Sequence, residues 1–424
     1  MNQERDYLAA LDLGSTMTRA LFAEVLDSGE EDPQVRFLGF GESESLGWRK
    51  GVVADLDAVA GSVKKALEQA EAAAGVSIES AVVGIGGPHI QGISSRAGLP
   101  LAARPREVTR DDVRRVMESA RSVPLPKGRE ILHMLPQEFA LDSQSGVRDP
   151  IGMQAGSLAV KVHLITGSQA ASQSVVAAVN RAGVVVETVV AEAFAVGEAV
   201  LTPEERELGV LVVVLGGGSA ELAAYYQGGL RMSSGIAIGG DHFTSDVAIG
   251  LHTPSPEAEI IKKMFGSVYS GWSHDGASFE VPGLANRPSR MVPRRDLLEI
   301  LEPRAQELLA MAIEELRQAD LEPRLGAGVI FAGGGARLHG LCDLAENVFS
   351  GPARLGLPSD VWDEEGVPAM ILDSPRSWDG PEYTTVGALL LYGLRLRRLR
   401  MARRRTPAKR WKSLLAGKAR EGVR

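Results

Sequence analysis

Three glycine-rich turns, each at the end of an apolar run, constrain this chain more than any other feature. They are Asp12-Leu-Gly-Ser-Thr16, Leu215-Gly-Gly-Gly-Ser-Ala-Glu221 and Phe331-Ala-Gly-Gly-Gly-Ala336, preceded by Tyr7–Leu11, Val210–Val214 and Gly328–Phe331. Runs of that kind read as buried strands. Glycine has no Cβ, so a backbone can come close to a phosphate or a purine. Successive free N–H groups in such turns form anion-binding concavities. One turn alone would simply end a strand; the ordered triple points to a ligand. The first two lie 202 residues apart and so fall in separate halves. Neither is a G-x-x-x-x-G-K-[ST] loop, and no G-x-G-x-x-G opens a helix. A pair of β-hairpins clamping a nucleotide tail from two sides fits instead.

At 424 residues the chain is long for one core, which implies two or more domains. A single cysteine, Cys342, precludes an internal disulfide and suits a reducing cytosol. The segment Met1–Asp6 is charged and lacks an apolar signal core, and Val386–Leu394 is too short to span a bilayer. A cytoplasmic protein is expected. The net charge of −8 is uneven: residues 395–424 hold thirteen Lys or Arg and one Glu, a net +12, leaving −20 on the rest. An acidic body argues against nucleic acid as a partner, and a basic tail seeks an anionic surface.

Along the chain, Thr18–Val25 reads as the return strand of the first hairpin. Asp55 or Asp57 caps a helix carrying Val59, Val63, Leu67 and Ala70. From Gly86 to Lys161 the pattern reads as an inserted subdomain with one helix, begun by a Thr109–Asp112 capping box. Lys161–Thr166 is expected to return to the central sheet, and Ser168 to cap the helix that follows. The second half begins near Ala191. Its Pro-punctuated stretch from Pro254 to Pro293 reads as a second small insertion, and Asp296–Asp320 as a helix broken at Pro303.

The paired hairpins resemble the phosphate-1, phosphate-2 and adenosine motifs of the actin/Hsp70/sugar-kinase superfamily. Further segments resemble one branch, the bacterial cell-division FtsA family: Leu46–Leu56, His133–Phe139, Lys161–Thr166, Thr202–Gly209, Thr244–Ala248 and Tyr383–Gly387. The resemblance is nearly collinear from Tyr7 to Leu394. It implies an α/β, actin-like two-domain ATPase fold with an inserted 1C subdomain and a C-terminal amphipathic tail. The implied division is 1–85 and 162–190 for subdomain 1A, 86–161 for 1C, 191–230 and 305–394 for 2A, 231–304 for 2B, and 395–424 for a basic linker and membrane-targeting helix. The implied function is an ATP-binding scaffold that self-associates and tethers filaments of the tubulin-like FtsZ to the cytoplasmic face of the membrane at the division site. It would also recruit later division proteins. The alternative is a PilM-like adaptor of a pilus or secretion assembly, which would need no lipid-binding tail. A sugar or acid kinase of the same superfamily is a third reading, disfavoured by the absence of a base beside phosphate-2.

By resemblance, Asp12 would hold Mg²⁺ through water while Gly14, Ser15 and Thr16 cradle the phosphates of ATP. Gly216, Gly217, Gly218 and Ser219 would close from the other side, and Gly333, Gly334, Gly335 and Ala336 would lie under adenine and ribose. Glu259 and Lys262 stand where the family contacts the nucleoside; they are equally readable as an exposed helical ion pair. One position departs from the pattern: the superfamily opens phosphate-2 with Asp, and this chain has Val214. ATP turnover is therefore expected to be weak or absent, by about 10²–10⁴. Glu192 and Glu198 are the candidate water-polarising groups, with Glu221 further along the hairpin. Arg287, Arg290, Arg294 and Arg295 are candidates to meet the C-terminal peptide of FtsZ, or else form a solvated loop. In the tail, Trp411, Leu414 and Leu415 share one helical face, flanked by Lys409, Arg410 and Lys412. Such a segment lies in the interface of anionic inner-membrane lipids; a solvated basic tail is the alternative.

Overall fold

The computed structural model describes residues 6–26, 34–49, 51–271, 277–284, 287–360, 371–372 and 378–399. Two mixed sheets organise it. The first has the strand order Val185–Ala191, Ser80–Ile85, Asp6–Leu13, Met17–Leu26, Gln34–Glu44 and Ile371–Leu372. Strand Asp6–Leu13 runs antiparallel to Met17–Leu26 and parallel to Ser80–Ile85, which brings Asp12 out at the end of the sheet's centre. Alternate residues of this strand feed two cores, as the period of two requires. Leu8 and Ala10 pack with Val386, Leu389 and Leu390 of a C-terminal helix, residues 384–399. Ala9 and Leu11 pack with Val59, Val63 and Leu67 of helix Leu56–Ala74. Asp55, not Asp57, caps that helix: its Oδ1 accepts from the N–H groups of Asp57 and Ala58 at 3.0 and 3.1 Å.

The second sheet has nine strands, in the order Gln144–Val147, Arg129–Leu141, Ser157–Ser168, Gln91–Pro100, Gly229–Ile236, Ala220–Tyr226, Val210–Leu215, Gly328–Ala332 and Ala353–Leu355. The first four belong to the insertion, and helix Arg110–Arg121, begun by the Thr109–Asp112 capping box foreseen in the sequence, packs on them through Val116 and Ala120. The expected return of Lys161–Thr166 to the central sheet is wrong. Strand Ser157–Ser168 pairs on one side with Gln91–Pro100 and on the other with Arg129–Leu141 along its length, so its backbone groups are consumed inside the insertion. The insertion joins the second half instead. Gln91 pairs with Ser234, and the buried His163 Nε2 lies 2.9 Å from Ser233 Oγ.

Helix Arg294–Gln318 runs unbroken through Pro303, contrary to the break expected there. Leu297, Leu298 and Leu301 before the proline and Ala305, Leu308 and Leu309 after it are all buried. At about 1.5–3 kcal/mol for each large side chain, that burial outweighs the roughly 3 kcal/mol disfavouring an interior proline. The same helix passes through residue 304, and strand Gly229–Ile236 through residue 231, so neither expected subdomain edge coincides with an element end.

The C-terminal helix is tied to the body at its end. Arg395 Nη1 donates to Glu198 O at 2.9 Å, and Arg397 pairs with Asp6 and Glu187. These two arginines thus serve the body, although the sequence assigns them to the basic tail. The expected membrane-facing residues Lys409, Arg410, Trp411, Lys412, Leu414 and Leu415 lie outside the described residues. Among the described residues no helix is long and apolar enough to cross a membrane.

Candidate functional site

The three turns converge. The first hairpin's ladder ends at the Leu13–Thr18 pair, which leaves Gly14, Ser15 and Thr16 outside it at the mouth of a cleft. The second turn closes on itself through Gly216 N–H to Ser219 O at 2.9 Å. It is stitched to the start of helix Gly240–Gly250, where the N–H groups of Gly240 and Asp241 donate to the carbonyls of Gly216 and Gly217 at 2.9 and 2.8 Å. A Cβ on Gly217 would sit 2.0 Å from Thr16 Oγ1, so the second turn packs against the side chains of the first with no room for a side chain of its own. The third turn takes a positive φ of 84° at Gly333, beneath the carbonyl of Leu215, while Gly334 has nothing nearer than 3.9 Å and faces open space. Between the turns lies a cavity of about 540 Å³.

Asp12, Gly14, Ser15, Thr16, Gly216, Gly217, Gly333, Gly334 and Gly335 line this cavity, as the sequence implied. So do Glu259 and Lys262, which turn out to be an ion pair (2.6 Å) and part of the cavity wall at once. Lys262 Nζ also donates to Gly240 O at 2.9 Å and Thr244 Oγ1 at 2.8 Å. Gly218 and Ser219 do not line it. They face a smaller void of about 60 Å³ behind the turns, shared with Trp48 and Glu192. Ala336 is buried in the second domain's core, and Arg337, Leu338 and His339 reach the cavity in its place.

Three carboxylates gather at the back of the cavity, Asp12 and Glu192 on its wall and Glu221 on the small void behind the turns. Burial pushes Asp12 up to about 6, against the pull of Arg19. Burial raises Glu221 to about 7, against its bonds from Ser219 and Gly87 and with the Asp12 charge adding to the rise. Glu192 is raised well above the usual range, by burial first and then by the charges of Asp12 and Glu221. Gly86 separates the two glutamates; a Cβ there would lie 2.7 Å from Glu192 Oε2 and 2.9 Å from Glu221 Cδ. Glu221 Oε1 accepts from Gly87 N–H and from Ser219 Oγ, both at 2.7 Å. Glu198 is not brought to the site. It pairs with Arg206 at 3.2 Å and with Arg395 at 3.8 Å, at the far end of the short helix that begins with Glu192.

Val214 stands directly opposite Glu221 in the hairpin and lines the cavity, so one wall that could carry a carboxylate is hydrocarbon. The residues fit a nucleotide with a divalent cation. Glycine backbones face the cavity, and three buried carboxylates with raised pKa values would be relieved by a positive charge. Among the described residues no group of three His, Cys, Asp or Glu is placed to hold an ion directly. Site residues that sequence reasoning missed are Arg19, Asp241, Arg337 and Glu382. Only Arg19 carried a usable signal, being the hairpin partner of Asp12 once the turn length is fixed.

Of the four arginines expected to meet a peptide, Arg290 Nη2 donates to Leu251 O at 3.1 Å and Arg294 Nε to Phe265 O at 2.9 Å, each capping the end of a helix. Arg295 Nε donates to Glu299 at 2.9 Å, and Arg287 is exposed. The same part of the chain exposes Ile249, Ile260, Met264, Leu284 and Met291.

Fold and site together define an actin-like α/β protein with a domain inserted in its first half. Among solved structures it is similar to the PilM-PilN type IV pilus biogenesis complex, at 18% identity with a TM-score of 0.63 over 91% of this chain and 98% of that one. It is also similar to the ethanolamine utilization protein EutJ from Carboxydothermus hydrogenoformans, at 15% identity with a TM-score of 0.50 over 92% of this chain and 91% of that one. These likenesses concern fold. In sequence, residues 87–166 match the SHS2 domain inserted in FTSA, and residues 211–388 match the cell division protein FtsA family. The cell division protein FtsA of Pseudomonas aeruginosa is 36% identical over 92% of this chain and 90% of its own length. That of Escherichia coli K12 is 35% identical over 92% and 91%. The chain belongs to the FtsA family of cell-division proteins. Division, rather than pilus assembly, is its function.

Proposed function

We propose that this chain is a nucleotide-gated scaffold that holds ATP with Mg²⁺, self-associates, and ties FtsZ filaments to the cytoplasmic face of the membrane. The observation that carries this reading is the convergence of three glycine turns from both halves on one cavity above a carboxylate cluster. A ligand gripped from two sides fixes how the halves sit, and so which surfaces a second copy meets. Gly14–Thr16 and Gly216–Gly217 would bind the phosphates, Asp12 would orient the cation's water shell, and Gly334 would leave room for the nucleoside. Mg²⁺, when bound, supplies positive charge that neutralises the phosphate oxygens. Glu192 and Glu221 are left to orient water. With Val214 supplying no carboxylate, turnover would be slow and the bound state long-lived.

The exposed Ile249, Ile260, Met264, Leu284 and Met291, with the exposed Arg287 and Arg295 in the same part of the chain, support docking of an amphipathic acidic peptide such as the end of FtsZ. The tail would attach weakly as a single copy, since three apolar side chains give at most about 1.5–3 kcal/mol each and nearby cations about 1 kcal/mol apiece. Side-by-side copies would bind by avidity.

Co-sedimentation with anionic vesicles, with and without ATP, tests the reading on the full chain and on a chain ending at Leu399. That cut preserves Arg395 and Arg397, which hold the last helix. Binding that needs the tail and rises with ATP is expected. Equal sedimentation of both chains, or of neither, would remove the tether.

A further inference from the structure

We propose that Glu221 relays the state of the nucleotide cavity to the inserted domain, by clasping that domain's first residue to the second glycine turn. The inference rests on the nucleotide reading above and adds an output to it. Glu221 is buried, and its Oε1 accepts hydrogen bonds from two separate parts of the molecule. One comes from Ser219 Oγ, in the turn itself, and the other from the N–H of Gly87, both at 2.7 Å. The match to the inserted domain begins at residue 87. A single carboxylate oxygen therefore joins the second turn to the entry of the insertion, 134 residues away in sequence.

The entry is seated tightly against the second half. A Cβ on Gly235, in strand Gly229–Ile236, would lie 2.2 Å from Gly87 O and 2.9 Å from Pro88 Cα. Gly87 itself takes a φ of 125°, a conformation that glycine alone adopts at little cost. Entry and exit of the insertion are braced together, because Arg129 Nη2 donates to His89 O at 2.9 Å and to Thr166 O at 3.1 Å. Thr166 belongs to strand Ser157–Ser168, which is paired on both sides within the insertion's sheet. Gln137 Nε2 adds a bond to Leu230 O at 3.0 Å. Chain connectivity places the insertion in the first half, between Ser80–Ile85 and helix Gln169–Arg181, yet these contacts make it ride on the second. A phosphate tail that draws the turns together would shift Ser219, and Glu221 passes that displacement to Gly87. Close-packed backbone of this kind transmits a small shift rather than absorbing it. Linkage makes the coupling reciprocal, so a partner seated on the insertion would change nucleotide affinity by the same factor.

The test is amide hydrogen exchange of the full chain with and without saturating Mg²⁺-ATP, nucleotide affinity being measured separately with a fluorescent ATP analogue. In wild type the amides of residues 87–93 should exchange about tenfold slower with nucleotide, the equivalent of one charged hydrogen bond. Those of helix Arg110–Arg121, held inside the insertion, should not change. Glu221→Leu removes the acceptor and should abolish the slowing, while Glu221→Gln keeps an oxygen there and should restore it. Should Glu221→Leu fail to fold or to bind nucleotide, Ser219→Ala, which cuts only the turn's side of the clasp, decides on the same readout. A wild type that binds ATP without any slowing at the entry would overturn the relay. So would full slowing in the chain that lacks the clasp, or equal slowing in helix Arg110–Arg121, which would mark general stabilisation. If wild type binds no nucleotide, the nucleotide reading itself falls, and this one with it.

Discussion

The carboxylate cluster makes a prediction whose size follows from the structure. Glu221 is fully buried and its pKa is raised from 4.5 to about 7, with burial the main cause. In the unfolded chain it ionises near its ordinary value. Between those two values the folded state binds the extra proton, so its contribution to stability is complete below pH 4.5 and is lost as pH rises to about 7. At about 1.4 kcal/mol per pH unit the loss sums to about 3 kcal/mol. Glu221→Gln removes this penalty while keeping an oxygen to accept from Gly87 N–H and Ser219 Oγ. The pKa of about 7 already contains those two hydrogen bonds to the anion, so they are not counted again. The variant should therefore match wild type at pH 4 and be about 3 kcal/mol more stable at pH 8. At about 2–4 °C per kcal/mol for a domain of 150–250 residues, that is a rise of about 6–12 °C in Tm at pH 8. Thermal unfolding of the nucleotide-free protein by circular dichroism from pH 4 to 8 measures it. Curves that run parallel across this range would refute the reasoning.

Val214→Asp should raise ATP turnover by about 10²–10⁴, read as phosphate release in a single turnover; an unchanged rate would mean that some other step or group is limiting. Gly239→Ala would place a Cβ 2.4 Å from Gly217 O and 2.5 Å from Ser219 N, forcing the second turn to move; nucleotide affinity by calorimetry should fall at least about tenfold, the cost of one misplaced charged hydrogen bond. Gly334→Ala meets nothing nearer than 3.9 Å and should leave Tm unchanged while weakening nucleotide binding, because its methyl group projects into the cavity. His163 is held neutral by burial first and then by the Arg231 charge, with its pKa lowered from 6.5 to about 4. Its share of stability is complete above pH 6.5 and is lost as pH falls to about 4, about 3 kcal/mol in all; His163→Asn should flatten Tm against pH over that range, and an unaltered slope would sink the assignment.

Much of the site was legible because it depends on residues that only one backbone geometry tolerates. Glycine runs after apolar strands mark close approaches wherever they occur, so Asp12, Gly14, Gly216, Gly217, Gly333 and Gly334 could be named before any contact was known. Glu198 was misplaced because it sits six residues after Glu192 on one helix, and only the packing of that helix shows which end reaches the cavity. Arg290 and Arg294 read as a free basic cluster, yet they cap helix ends thirty or more residues away in sequence or nearly so. Local pattern holds no record of such pairings.

By itself, the sequence determined the strands and their turns, the Thr109–Asp112 capping box, the two-half organisation, the family and the missing carboxylate at position 214. All of these are local: period, cap chemistry and glycine placement act within a few residues. Tertiary structure alone decided that the insertion's strand Ser157–Ser168 stays with its own sheet and joins the second half, and that Pro303 is carried through a helix. It alone brought Asp12, Glu192 and Glu221 together and raised their pKa values. Those outcomes depend on burial and on which distant groups share it, and the free energies involved, a few kcal/mol each, outweigh the local preferences that a sequence displays.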